Sequence, residues 1–502
     1  MPDLTKPYQQ LTAALRRLHT LGTVADLVGW DEKVNLPPNS IDLRAEQLTL
    51  LAEMRHEAAS RPEMGKCLDK LEEQSEHLSA DQQAVVRDAR RDYDRATRLP
   101  TDLVQRKAKA ESRGYHAWIE ARAEDNYAKF APFLKEHLEL AREEAALMGA
   151  DRAHSYDYWI DQFDPGMRAG VIEPLFAALL PELKKLVAMV ERSDIVPTTD
   201  ALRGLSEDRQ ATFAAEVIRK MGFDFDRGRI DRSAHPFCGG EARDTRLTTR
   251  YDPDDPLESI FSVIHEAGHG MYEQGLPHEH LGTALGTSAG MAIHESQSRL
   301  WENQVARSRA FWKFWEQSYR KLFPSHLAGV SPEDFYRTLN RVGVTPIRVS
   351  ADEVTYNLHI MLRFSLEQKL FSGALAVDDL PDGWNAESER ILGLRPSSNA
   401  LGCLQDVHWS CGLFGYFPSY CLGNLIAAQW WETLHHEIPE LENQIASGDY
   451  APLLGWLRRN VHRQGRRYRT GELVAHVTGK PLSHEPLVRY LNDRFQPIYG
   501  DH

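Results

Sequence analysis

The chain has 502 residues, 42% hydrophobic, 9% aromatic and 26% charged, with a formal net charge of −14. This is the composition of a globular protein large enough for a deep core and a sizeable cleft. The acidic balance argues against nucleic acid as a partner, and no stretch reaches the roughly 20 apolar residues that span a bilayer.

The N-terminus, "MPDLTKPYQQLTAALRRLHT", has no apolar segment of the signal-peptide kind. Five scattered cysteines, Cys67, Cys238, Cys403, Cys411 and Cys421, are odd in number and form no C-x-x-C pair. They read as reduced thiols in a cytoplasmic protein. The first 150 residues follow the helical period, with breaks at "LPPN" (36–39), "RLP" (98–100) and, just beyond, "FDPG" (163–166). In "FAPFLKEHLELAREEAALMG", Phe133, Leu134, Leu138, Ala141, Ala145 and Met148 share one face, and Gly149 is the expected stop. The best strand signal is "TRLTTRYD" (245–252), followed by the turn-like "DPDDP". A mostly α-helical protein with a small β-sheet near its centre is expected.

Next comes "SVIHEAGHGMYEQG" (262–275), which contains H-E-x-x-H. Asp255 is the expected N-cap, Pro256 the first helical residue and Glu258 the partner in a capping box. Leu257, Ile260, Phe261, Ile264, Gly268 and Met271 make the buried stripe, and Gly275 is a natural end. His265 and His269 then stand one turn apart at the edge of that stripe, with the Glu266 carboxylate beside them. Near the end of the chain "WLRRNVHRQGRRYR" carries six arginines between Arg458 and Arg469, expected as a solvated helix end and loop.

Two histidines do not complete a catalytic zinc site. The extended H-E-x-x-H-x-x-G-x-x-H pattern needs Gly at 272 and His at 275; the chain has Tyr272 and Gly275. The remaining common solution is a glutamate on a following helix. "GMAIHESQSRLWENQ" (290–304) offers both Glu295 and Glu302, and spacing alone does not choose between them. Three protein ligands leave a position for water, whose pKa zinc lowers. Glu266 would then act as general base, passing the proton to the leaving amine. The expected reaction class is metal-assisted amide hydrolysis.

Six stretches in order then resemble the carboxypeptidase Taq family of zinc metallocarboxypeptidases. They are "HPF" (235–237), "DTRLT" (244–248), "HEAGH" (265–269), "HESQSRLWE" (294–302), "IRVSADEVTY" (347–356) and "GCLQDVHW" (402–409), and the similarity runs almost end to end. The resemblance implies one peptidase domain over 1–502, a single large helical domain with a deep active-site groove. Residues 1–150 would form a helical lid region and 230–425 the zinc and substrate-binding core. It implies Glu295 as the third ligand, one zinc ion per chain with cobalt as an acceptable substitute, and usually a homodimer. The activity implied is removal of single residues from peptides with a free C-terminus. Some other two-helix zinc peptidases place a histidine-orienting carboxylate four residues after the glutamate ligand; here that position is Arg299.

A free α-carboxylate is best held by the planar fork of an arginine, and Arg348 is the first candidate. Ser350 and Glu353 form a capping-box pattern that would put Arg348 just before a helix N-terminus, itself favourable to an anion. Arg246 and His235 belong to family motifs as substrate-binding candidates, although Asp244 and Arg246 fit a bracing ion pair equally well. By similarity to related helical zinc peptidases, His408 and Tyr420 are expected to stabilise the oxyanion, with Tyr416 nearby on the substrate side. Two other readings compete: a zinc oligopeptidase or dipeptidyl carboxypeptidase, and a non-catalytic helical scaffold with a vestigial zinc site.

Overall fold

The computed structural model describes residues 4–199, 202–322, 325 and 327–500. Helices dominate, and among the described residues the one sheet has three strands. Contacts gather into two compact units. The first comprises Met1–Thr97, Pro197–Leu339 and Ala427–Pro481; the second comprises Arg98–Val196, Asn340–Ile426 and Leu482–His502. No helix among the described residues is long and apolar enough to cross a membrane.

In the first unit, helices α1 (Thr5–Val34) and α2 (Ile41–Ala59) flank the "LPPN" break. Leu11 of α1 joins Met64, Leu68, Leu71, Leu78, Val86 and Ala89 in a small core. Beyond Leu11 the next buried residue of α1 is Trp30, and α2 buries only Ala58. Trp30 packs beneath two guanidinium groups, Arg229 at 5.0 Å and Arg246 at 4.3 Å from its ring centroid.

Those arginines belong to the sheet. Strand β3 (Asp244–Thr249) lies between β1 (Gly228–Arg232), to which it is parallel, and β2 (Phe237–Glu241), to which it is antiparallel. The register sets Arg229 and Gly239 on either side of Arg246, while the neighbouring Leu247 is fully buried. Strand β3 is the strand expected from sequence, ending at Thr249 rather than 252. Its partners "GRIDR" and "FCGGE" carry glycine and charge in place of β-branched runs, so neither announces itself as a strand.

The H-E-x-x-H helix runs Pro256–Glu273, capped as expected by the Asp255 carboxylate, which accepts from the Glu258 N–H at 3.2 Å. Its expected stripe is buried throughout. Two glycines in "HEAGHG" fix what packs against it. A Cβ on Gly268 would stand 2.7 Å from Ser298 Cα, so the helix Met291–Arg299 lies backbone to backbone here. A Cβ on Gly270 would meet Phe223 at 2.8 Å and Leu247 at 3.0 Å, so the sheet closes in from the other side. The helix Met291–Arg299 continues into a π-turn at Leu300–Val305.

The arginine-rich stretch departs from expectation. Arg467 donates to both oxygens of Asp81, at 2.6 and 2.9 Å, and Arg466 donates to the Ser288 carbonyl at 2.9 Å. These guanidiniums tie separate stretches of the first unit together, where a solvated end was expected. The pairing residues lie hundreds of positions upstream, beyond the reach of local charge patterning.

In the second unit the helix Tyr127–Leu147 buries Leu134, Leu138, Ala141 and Ala145, and Gly149 takes a left-handed φ of 93° after it. The segment after Arg348 also differs from expectation. Residues 348–350 form a single 3₁₀ turn, and the following helix starts only at Tyr356. Asp352, not Ser350, makes the local cap: its carboxylate accepts from the Val354 and Thr355 N–H groups at 2.9 and 3.0 Å, and from Gly343 N–H at 3.0 Å. A carboxylate closing a tight turn outcompetes the serine hydroxyl, and Glu353 turns instead to Arg494.

Candidate active site

His265, His269 and Glu295 converge within the first unit. Their potential donor atoms lie within 4.8 Å of one another. Glu295 Oε2 is 3.6 Å from His265 Nε2 and 3.4 Å from His269 Nε2. Ligands about 2.0–2.1 Å from a tetrahedral zinc stand about 3.3–3.4 Å apart, so the donor set suits such an ion in chemistry, and Glu295 lies close to that separation from both histidines. The Gly268 contact makes the fit possible, because it lets the helix bearing Glu295 approach the histidine turn.

Glu302, the alternative that spacing leaves open, has a different place. Its Oε2 is 2.9 Å from His265 Nδ1, on the far side of the ring from Glu295. A carboxylate there fixes the ring orientation and its tautomer. Two helical turns separate Glu302 from Glu295, and the π-turn begins within that interval. Arg299 connects the two: its Nε donates to Glu295 Oε1 at 2.7 Å and its Nη1 to Glu302 Oε2 at 3.2 Å. The orienting carboxylate missing at position 299 is thus supplied three residues later. The His269 ring is held by the His294 carbonyl, 3.0 Å from its Nδ1.

The electrostatics follow from burial and from these pairs. Burial alone would raise Glu295, but Arg299 and the two histidines outweigh it and hold the carboxylate well below its usual range. Glu302 is lowered too, against its own burial, chiefly by Arg299 and His265. Burial pushes His269 down to about 3, leaving the ring neutral as a metal ligand requires. Glu266, buried on the same helix, is pushed by desolvation up to about 7.

The other site candidates fall into two places. Arg246 lies in the first unit and pairs with Asp244: its Nε and Nη2 donate to that carboxylate at 2.9 and 3.0 Å while its face covers Trp30. His235 is exposed, and its backbone carbonyl accepts from the Ser233 and Thr248 hydroxyls.

Arg348, His408, Tyr416 and Tyr420 cluster in the second unit. Arg348 is 7% exposed; its Nε donates to Asp406 Oδ1 at 2.9 Å and its Nη1 to the Tyr356 hydroxyl at 3.0 Å. Arg363, fully buried, donates to the other Asp406 oxygen at 2.6 Å. Two guanidiniums therefore share one carboxylate, which they hold well below its usual range despite burial. Neighbouring imidazoles add no positive charge, because burial depresses His359 to about 3 and His408 to about 4. His408 Nε2 lies 3.3 Å from the Tyr420 hydroxyl, and the Tyr416 ring packs against both. Phe414, Phe417 and Trp409 are buried around them.

Sequence reasoning missed Asp406 and Arg363. Asp406 stands inside "GCLQDVHW" and carries a signal only once Arg348 is known to face it; Arg363 looks like any helix-borne arginine.

The carboxypeptidase Taq (M32) metallopeptidase model matches residues 10–495 of the chain. The chain belongs to that family. This M32 protein is 40% identical to thermostable carboxypeptidase 1 of Thermus thermophilus, over 98% of this chain and 99% of that relative. It is 34% identical to carboxypeptidase 1 of Bacillus subtilis, over 97% of each. Among solved structures it resembles the M32 carboxypeptidase from Deinococcus radiodurans R1, with a TM-score of 0.95, 41% identity and coverage of 99% of this chain and 100% of that one. The carboxypeptidase of Pyrococcus furiosus superposes with a TM-score of 0.94 at 33% identity, covering 99% of each. This M32 protein is a metallocarboxypeptidase, a hydrolase acting on peptides.

Proposed function

We propose that the enzyme is zinc-dependent and releases single amino acids in succession from peptide C-termini, with broad side-chain tolerance. The observation that carries this reading is the His265–His269–Glu295 donor set, spaced for zinc, with the Glu266 carboxylate buried on the same helix. Cobalt serves as a substitute metal in this reading. A zinc ion bound there supplies Lewis acidity towards the scissile carbonyl and lowers the pKa of a water.

Glu266 acts as general base. Its pKa of about 7 suits a group that takes a proton from water and then delivers it to the leaving amine near neutral pH. His408 and Tyr420 donate to the oxyanion; the imidazole, held neutral by burial, offers one N–H. Arg348 receives the substrate's α-carboxylate. Its support is the charge count: Arg348 and Arg363 face the single carboxylate of Asp406, and an incoming anion balances the remaining charge. Arg246, His235 and Tyr416 complete the substrate-binding set, and the enzyme is taken to work as a cytoplasmic homodimer.

The test is a mass-spectrometric time course on one unstructured peptide, supplied as free acid and as C-terminal amide, with zinc or cobalt and a chelator control. A ladder of single-residue losses from the free acid, with the amide resistant, is expected. Internal cuts in both peptides would keep the zinc chemistry and replace the exopeptidase with an oligopeptidase. Absence of metal-dependent cleavage of either peptide would overturn the proposal.

A further inference from the structure

His294 carries no role in the chemistry above, although it is the first residue of the H-E-S triplet that holds Glu295. Its ring has two polar neighbours. Nε2 lies 2.9 Å from Glu273 Oε1, and Nδ1 lies 2.5 Å from Nδ1 of His269. The His269 ring in turn points its Nε2 at Glu295.

These contacts fix the protons. A nitrogen facing a carboxylate donates, so Nε2 of His294 is placed to donate to Glu273 while Nδ1 faces the His269 ring. His269 uses Nε2 on the ligand side, so its Nδ1 carries a hydrogen, and that hydrogen meets two acceptors, the His294 carbonyl at 3.0 Å and the His294 ring. Glu273 stands one helical turn after His269 on the same helix, and His294 closes the gap between them from the neighbouring helix.

We propose that Glu273 and His294 form a relay that positions the metal ligand His269 and strengthens its donation to the ion, as Glu302 does directly for His265. Both are positioning residues. His294 also precedes the ligand Glu295, so displacing it disturbs two of the three donors at once. The proposal rests on the metal reading of the His265–His269–Glu295 cluster.

The test is zinc affinity, read by competition between the apoprotein and a chromophoric chelator, for the parent protein, Glu273→Gln, His294→Gln and the double variant. The parent is expected to bind one equivalent tightly; if it does not, the metal reading itself fails. Against that parent value, Glu273→Gln should weaken binding about 10-fold and His294→Gln about 100-fold. The double variant should bind no more weakly than His294→Gln alone, because Glu273 acts through His294. The cobalt-substituted His294→Gln protein should show a shifted visible spectrum, while the apoprotein melts at the parent temperature. Affinities within about twofold of the parent in both single variants would overturn the relay, as would additive losses in the double variant. Should His294→Gln fail to fold, the near-isosteric Glu273→Gln carries the test alone.

Discussion

The two buried clusters are charged in opposite senses. Around His265 and His269 stand three carboxylates, Glu266, Glu295 and Glu302, with Arg299 paired to the latter two and Arg307 to Glu302. Around Asp406 the proportion reverses, with one carboxylate between Arg348 and Arg363. Buried charge without a partner is costly, so in the proposed reading each cluster takes an ion of the opposite sign. One suits a divalent cation and the other a carboxylate. If the proposed roles hold, the contrast separates catalysis from recognition, and mutation can test one side at a time.

The largest expected effect falls on the acidic side. Glu266→Gln should lower kcat by about 10²–10⁴-fold, the range for loss of a general base, with metal content unchanged by elemental analysis. Activity close to that of the parent would mean that the acidic cluster only holds metal and that the proton is taken elsewhere. On the basic side, Arg348→Ala should cost about 10–100-fold in kcat/KM on free-acid peptides, mostly through KM, as expected for loss of a charged hydrogen-bonding partner. The ratio of free-acid to amide cleavage should fall by the same factor. An unchanged ratio would break the assignment of the Asp406 cluster to the terminal carboxylate.

The smallest effect sharpens the comparison at its edge. Glu367, fully buried in the second unit, accepts from Trp409 Nε1 at 2.7 Å, the Tyr156 hydroxyl at 2.8 Å and Gly415 N–H at 3.0 Å. Burial raises it to about 7 from the usual 4.5. Between those values the folded protein binds a proton that the unfolded chain has released, so this group's contribution to stability declines as pH rises through the window. The limiting slope is about 1.4 kcal/mol per pH unit. Glu367→Gln should flatten the denaturation midpoint between pH 5 and 7 relative to the parent; an identical pH profile in both proteins would refute the assignment.

The clusters also differ in how much of each was legible in the chain. The acidic one is nearly local. His265, His269, Glu295 and Glu302 lie on two consecutive helices, and helical periodicity places most of them. Spacing could not choose between the glutamates, because the choice depends on how closely the helices approach, which Gly268 sets. The basic cluster draws residues 348, 356, 363, 406, 408 and 420 from separate turns and helices. Motif resemblance and a capping-box pattern that the structure does not form pointed to Arg348, and nothing local marked Arg363 as its counterpart. The misplaced cap at Ser350 has a similar cause: Asp352 closes its turn through Gly343, nine residues upstream. Strands β1 and β2 were silent because pairing with β3, not composition, makes them strands.

The stretch from His294 to Glu302 supplies the glutamate of the His265–His269–Glu295 cluster, the carboxylate behind His265, and the carbonyl and ring nitrogen beside His269. Each added or deleted residue in a helix turns everything beyond it by about 100°. A one-residue length change between Glu295 and Glu302 would therefore swing Glu302 away from His265 while leaving Glu295 where it is. Within those positions a substitution alters one contact, whereas a change of length alters several at once.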